Sequence, residues 1–325
     1  MTPSASNTTV VGNPSNFWLF SNQDGFDLTH PPTPSSPPIY PRLTIKTSNS
    51  PITISPSKTA LIIVDMQNFF LAPELGRKIG EGHDAMNALL KHAIPAARKA
   101  GIQVVWLSWG ITDEDLETMP PVVWRAFGFQ VAATGEDFEV EDNGDTTESE
   151  LNTNSNVSVA RTTLKRTERK TERGLGLPLG NVTLEDGTIV NAGRMLIADQ
   201  WNTELYGELK NAQREGLQAT VPDVSFCKTR VSGLWGGSTD AQRFLEDQGI
   251  TTLLFTGVNT DQCVLGTLQD ACTKSWDTVL LKDGCGTTSP AYAKQAVEYN
   301  CQKNWGFLSS CEALAAGVEN IISKA

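Results

Sequence analysis

Apolar and polar positions along this 325-residue chain predict repeated strand–helix units. Residues 60–64, Ala-Leu-Ile-Ile-Val, form an unbroken β-prone run, as expected of a strand buried on both faces, and the run stops at Asp65. Over 85–100, Met86, Leu89, Leu90, Ile94 and Ala97 recur at helical spacing, and Gly101 ends the pattern. Residues 103–109 read as the next strand, and a third strand–helix unit is expected near 217–222. A helix over 238–247, a strand over 251–256, a helix over 261–275, a strand over 278–281 and a helix over 290–304 follow. Such alternation implies a parallel sheet with right-handed crossovers. A ligand crevice then belongs beyond the carboxyl ends of the strands, where Asp65, Trp109 and Gly257 fall.

The flanks read differently. Residues 1–57 are expected to form an N-terminal arm, with 58–325 as the catalytic domain. Six prolines in 30–41 favour extended backbone, whereas 43–45 and 52–54 alternate like short strands. Trp18, Leu19 and Phe20 are costly to leave in water, so part of the arm is expected to pack on the body. Within the domain, 135–173 reads as an insertion: eight acidic residues and no basic one in 135–150, then a mostly basic stretch over 161–173. A mobile surface segment and an ordered lid are both open readings of it. Residues 179–196 suggest a hairpin turning at Asp186-Gly187.

Charge and cysteine usage narrow the class. A net charge of −11 repels phosphate backbones, so nucleic acid is not expected as a partner. No apolar run reaches the roughly 20 residues of a membrane helix, and residues 1–16 lack the pattern of a secretory signal. Six cysteines without a CxxC pair or a Cys/His cluster argue for reduced thiols in a cytoplasmic protein with no metal and no cofactor. A small-molecule substrate and a homo-oligomeric assembly are expected.

The candidate chemistry centres on Cys263. It follows a buried strand and opens a helix, so it faces unpaired N–H groups that favour a thiolate and that can also hold an oxyanion. A small core residue is the alternative. No histidine is placed to serve as its base: His30 lies in the proline-rich arm, and His83 and His92 lie in or near a helix read as surface. A carboxylate can take that part. Asp65 ends an apolar strand, where a charge is costly without a partner, although a helix N-cap would also explain it. Lys228 is a candidate partner that would keep Asp65 ionised and draw Cys263 toward thiolate.

Three blocks occur in order: Val64-Asp65-Met66-Gln67-Asn68-Phe69-Phe70, Lys228-Thr229-Arg230-Val231-Ser232-Gly233, and Gly257-Val258-Asn259-Thr260-Asp261-Gln262-Cys263-Val264. Together they resemble the isochorismatase-like cysteine hydrolase superfamily over about 59–306, the insertion excepted. The resemblance implies a three-layer α/β/α fold with a mostly parallel, Rossmann-like central sheet. It also implies cleavage of an amide, ureide or carbamoyl C–N bond through a thioester. Cys263 would attack the carbonyl, Asp65 would shuttle the proton as general base and acid, and Lys228 would support the charged pair. A cis Val258–Asn259 peptide would aim the Asn259 and Cys263 N–H groups at the oxyanion.

Departures from the family pattern bear on substrate. Nicotinamidases in this superfamily carry an Asp-x-His…His metal cluster after the second strand; here Ser108-Trp109-Gly110-Ile111-Thr112 stands there, with no histidine beyond His92. A metal-held nicotinamide is therefore not expected. Phe70, Trp109, Trp201 and Trp235 are candidate pocket walls, with a core role as the alternative for each. Arg230 is a candidate for a substrate carboxylate, or for a structural ion pair. The rival functions are an isochorismatase-type vinyl-ether hydrolase and a non-catalytic binding module on the same fold.

Overall fold

The computed structural model describes residues 8–129 and 174–323. The central sheet uses strands β6 (Thr59–Val64), β7 (Gln103–Trp109), β10 (Val224–Lys228), β11 (Thr252–Val258), β12 (Asp277–Gly286) and β13 (Phe307–Ser309). Their spatial order is β10-β7-β6-β11-β12-β13, and every pairing is parallel. Side chains alternate between faces along a strand, so each strand feeds two apolar layers. Ile62, Val64, Val105, Leu107, Leu253 and Phe255 point into one layer. Leu61, Ile63, Val104, Trp106 and Leu254 point into the other. Helices cover both faces: Asp240–Asp247, Leu265–Thr273 and Ala291–Lys303 bury residues in the first layer. Ile94–Ala100 and Cys311–Glu319 bury theirs in the second. This is the three-layer α/β/α arrangement.

Residues 8–57 form a five-stranded sheet of β1 (Thr9–Asn13), β2 (Asn16–Ser21), β3 (Gly25–Asp27), β4 (Leu43–Ile45) and β5 (Ile52–Ile54), ordered β1-β2-β3-β5-β4. Leu28, Leu43, Ile45, Ile52 and Ile54 are fully buried in the same layer as Leu61 and Leu314, so this segment contributes to the core. It also shields the β13 edge: Ser48 N–H donates to Leu308 O, and Ser309 Oγ donates to Lys46 O. β8 (Asn181–Thr183) and β9 (Ile189–Asn191) form the expected hairpin around Asp186-Gly187. The insertion expected over 135–173 lies outside the described residues.

Some expectations need correction. The third strand lies at Val224–Lys228, whereas residues 217–222 form turns and Leu217 is exposed. The helix over 85–100 is continuous from Glu81 to Ala100, with a π-helical turn at Leu89–Ala93. His83 is buried rather than on the surface, and its Nε2 lies 3.0 Å from Leu71 O. The final strand and helix, Phe307–Ser309 and Cys311–Glu319, had no counterpart in the sequence pattern read above.

Candidate active site

Parallel register brings distant residues to one edge of the sheet. Val64 lies opposite Leu107 and Gly257, and Trp109 lies opposite Lys228. Asp65 leaves β6, Trp109 and Lys228 end their strands, and Asn259 follows β11. All four therefore sit at the carboxyl end of the central strands. Gly257 makes that convergence possible. At φ +114 it occupies a conformation that L side chains rarely adopt, and a Cβ there would meet Val64 O at 2.0 Å.

Asp65 is fully buried and has φ +52, an uncommon conformation for a residue with a Cβ. Its N–H donates to Leu107 O, and its carbonyl accepts from Gln67 N–H at 2.8 Å. Helix capping does not explain this residue, because Gln67 precedes the helical turn Asn68–Leu71. Asp65 Oδ1 accepts the Trp109 N–H at 3.1 Å, and the Lys228 ammonium lies 3.0 Å from Oδ2. Lys228 also donates to Arg230 O at 3.0 Å and to Val231 O at 3.1 Å. Its Nζ sits 3.9 Å from the centroid of the Trp109 ring. Three acceptors and an aromatic face thus hold a cation whose side chain is 1% exposed.

Cys263 completes the set. It lies in the π-helical turn Thr260–Val264, is 5% exposed, and its thiol is near enough to Asp65 and Lys228 to feel both charges. The Val258–Asn259 peptide before that turn is cis. Burial pushes the Cys263 thiol up to about 12; Lys228 opposes the shift and Asp65 adds to it. Desolvation thus favours the neutral thiol, against the thiolate expected from helix position alone. Burial likewise raises the Asp65 carboxyl above the ordinary aspartate range, against the pull of the Lys228 ammonium and of the Trp109 N–H.

Two residues not singled out from sequence brace this geometry. Gln67, fully buried, accepts the Trp109 N–H at 2.9 Å and donates to Trp109 O and Thr203 O, both at 2.8 Å. Thr267 donates to Cys263 O at 2.8 Å and accepts the Gly233 N–H at 3.2 Å. It thereby ties the cysteine turn to the loop whose carbonyls hold Lys228. Gln67 stands in the first of the three matching blocks, which was the one sequence signal available for it.

The remaining candidates divide. Trp109 is in direct contact with the Asp65–Lys228 pair. Arg230 donates to Thr229 O, Thr118 O and Met119 Sδ, and its guanidinium lies 4.7 Å from the centroid of Trp235, which is 41% exposed. No ion pair engages Arg230 among the described residues. Phe70 lies in the helical turn Asn68–Leu71 and packs edge-on to Phe69, and Trp201 opens the short helical turn Trp201–Thr203, its O accepting from Asn68 Nδ2 at 2.8 Å.

The Isochorismatase domain pattern matches residues 182–304, a span holding Lys228 and Cys263. The ureidoacrylate amidohydrolase RutB of Serratia proteamaculans is 28% identical over 290 residues, covering 86% of this chain and 92% of that protein. Its counterpart in Agrobacterium fabrum is 26% identical over 275 residues, covering 82% and 93%. Among solved structures, a cysteine hydrolase from Pseudomonas syringae shares the fold, with a TM-score of 0.50 and 16% identity over 88% of this chain and 99% of that one.

Proposed function

We propose that the chain is an isochorismatase-like protein and that it hydrolyses a C–N bond of a small molecule through a thioester on Cys263. The observation that carries this reading is a fully buried carboxylate 3.0 Å from a buried ammonium, with the buried Cys263 thiol near enough to feel both charges. A thiol pushed up to about 12 yields almost no thiolate at neutral pH, so attack needs a base beside it. In this reading Asp65 takes the thiol proton as sulfur bonds to the substrate carbonyl. The Asn259 and Cys263 N–H groups receive the oxyanion. Asp65 then passes the proton to the leaving nitrogen, and the amine or ammonia departs. Water adds to the thioester, its proton returns through Asp65, and Cys263 is released. A carboxyl raised by burial suits both directions of transfer, while Lys228 opposes that rise and favours the ionised form.

The relatives matched are ureidoacrylate amidohydrolases, so ureides and carbamoyl compounds are the first substrates to try. Arg230 is the candidate for a carboxylate on such a molecule, with Phe70, Trp109, Trp201 and Trp235 as candidate walls. We place the hydrolase domain at 58–325, with 1–57 as an N-terminal arm whose described residues, 8–57, pack on it. Ammonia release should be screened across amides, ureides and carbamoyl compounds, with Cys263→Ala as the blank. Release from one class by the wild type alone supports the reading. Equal release by both proteins, or none from any class, counts against it.

A further inference from the structure

The ammonium of Lys228 has three N–H bonds, and three acceptors meet it: Asp65 Oδ2 at 3.0 Å, Arg230 O at 3.0 Å and Val231 O at 3.1 Å. Two of the three belong to one short loop, so the position of that loop decides where the cation stands relative to Asp65. The loop is held at Gly233, a buried residue gripped on both sides. Its N–H donates to Thr267 Oγ1 at 3.2 Å, and its carbonyl accepts from Thr239 Oγ1 at 2.8 Å. A Cβ at Gly233 would collide with the Leu107 side chain, so the loop packs directly against strand β7. Its other flank meets the first turn of the helix Leu265–Thr273, where a Cβ at Gly266 would come within 3.2 Å of Val231 Cγ1. Thr267 lies in that helix, is fully buried, and its hydroxyl also donates to Cys263 O at 2.8 Å. A helical threonine commonly bonds the carbonyl four residues earlier. Helix geometry does not account for its second bond, to a Gly233 N–H that is 34 residues away in sequence. One hydroxyl thus spans the turn that carries the thiol and the loop that carries two acceptors of the cation.

We propose that Thr267 is a positioning residue for the reaction: through Gly233, its hydroxyl keeps the Lys228 ammonium seated on Asp65 and in register with Cys263. Thr267 keeps its own proton and touches no reacting atom; it acts through the loop. Small displacements of a charge or a reacting group in a closed site are costly, because the geometry is what the site supplies. The inference rests on the thiol reading given above, and its test separates the two. Thr267→Val removes the hydroxyl at nearly constant volume, and Thr267→Ser keeps it. Thr59→Val is the structural control: it removes a fully buried hydroxyl that donates to Ser55 O at the amino end of β6, away from the site. We would measure kcat, KM and the pH profile of kcat/KM on an amide that the wild type hydrolyses, below the melting temperature of every protein compared. Thr267→Val should lower kcat about tenfold with KM little changed. Its acidic limb should also move to higher pH. Asp65, faced by Lys228 and Cys263, must be ionised, and a cation less well seated opposes its protonation less. Thr267→Ser should restore both, and Thr59→Val should leave both as in the wild type. A wild-type limb in folded Thr267→Val, or a loss confined to KM, would overturn the inference while leaving the thiol mechanism standing. So would equal changes in Thr59→Val. Should Thr267→Val fail to fold, Thr239→Val frees the Gly233 carbonyl from the half-buried side of the same loop. An upward shift of the limb there supports the inference, and an unmoved limb overturns it. Full amide hydrolysis by Cys263→Ala would remove the thiol mechanism, and this inference with it.

Discussion

Replacing Lys228 by Met removes the cation while keeping most of the side-chain volume. Its ammonium lies 3.0 Å from Asp65 Oδ2, with side-chain exposures of 1% and 0%. At an effective dielectric of about 20, unit charges near 4 Å attract by about 4 kcal/mol. Removing that attraction leaves a carboxylate that burial already drives toward its neutral form. Asp65 should then hold its proton at neutral pH and be unable to take one from Cys263. If the full attraction bears on the transition state, kcat/KM at pH 7 falls about a thousandfold. The sign in pH is fixed as well. Hydrolysis needs ionised Asp65, so the rate falls as pH drops through a carboxyl value already above the ordinary one. Lys228→Met should move that acidic limb to still higher pH and recover part of its activity in alkali. The assay is ammonia release against pH, with thermal melting as a check on folding. Normal turnover at pH 7, or an acidic limb at the wild-type position, would refute the reasoning.

Asp65→Asn should be as damaging as Lys228→Met because an amide cannot take the proton, and the double variant should be little worse than either single one; additive losses in single-turnover rates would show that the two residues act separately. Gly257→Ala places a Cβ 2.0 Å from Val64 O at φ +114, so urea melts should show a loss of about 3 kcal/mol or more, and an unchanged midpoint would contradict that packing argument. No three His, Cys, Asp or Glu side chains gather among the described residues in a way suited to a metal, so activity should survive prolonged EDTA; loss on chelation with restoration by zinc would contradict the metal-free reading.

Strand ends were the most readable part of the site. The run over 60–64 stops at Asp65 because a strand buried on both faces must be apolar along its length and must change character where it meets the crevice. Strand β10 was misplaced by several residues for the opposite reason. As an edge strand it exposes Ser225 and Cys227, so it carries no continuous apolar run, while Leu217, where the third unit was expected to begin, lies in a solvent-facing turn. Its last residue, Lys228, was found through the matching block and not through periodicity. The burial of His83 was hidden because two hydrogen bonds, from Gly80 N–H to Nδ1 and between Nε2 and Leu71 O, satisfy a ring that a polarity pattern counts as surface. Nor does spacing reveal that Asp65, Trp109, Lys228 and Cys263 meet. That follows from strand order and register, and so do the roles of Gln67 and Thr267 as braces. The upward push on the Cys263 thiol needed burial as well as helix position, since desolvation outweighs the neighbouring cation.

The measurement closest to the central claim is turnover by Cys263→Ala on whichever amide, ureide or carbamoyl compound the wild type accepts, taken with circular dichroism on the same samples. A thiol that forms a thioester cannot be replaced by a methyl group, so ammonia release should fall to the uncatalysed rate while the spectrum stays that of the wild type. Activity within tenfold of wild type in the folded variant would contradict the thioester mechanism.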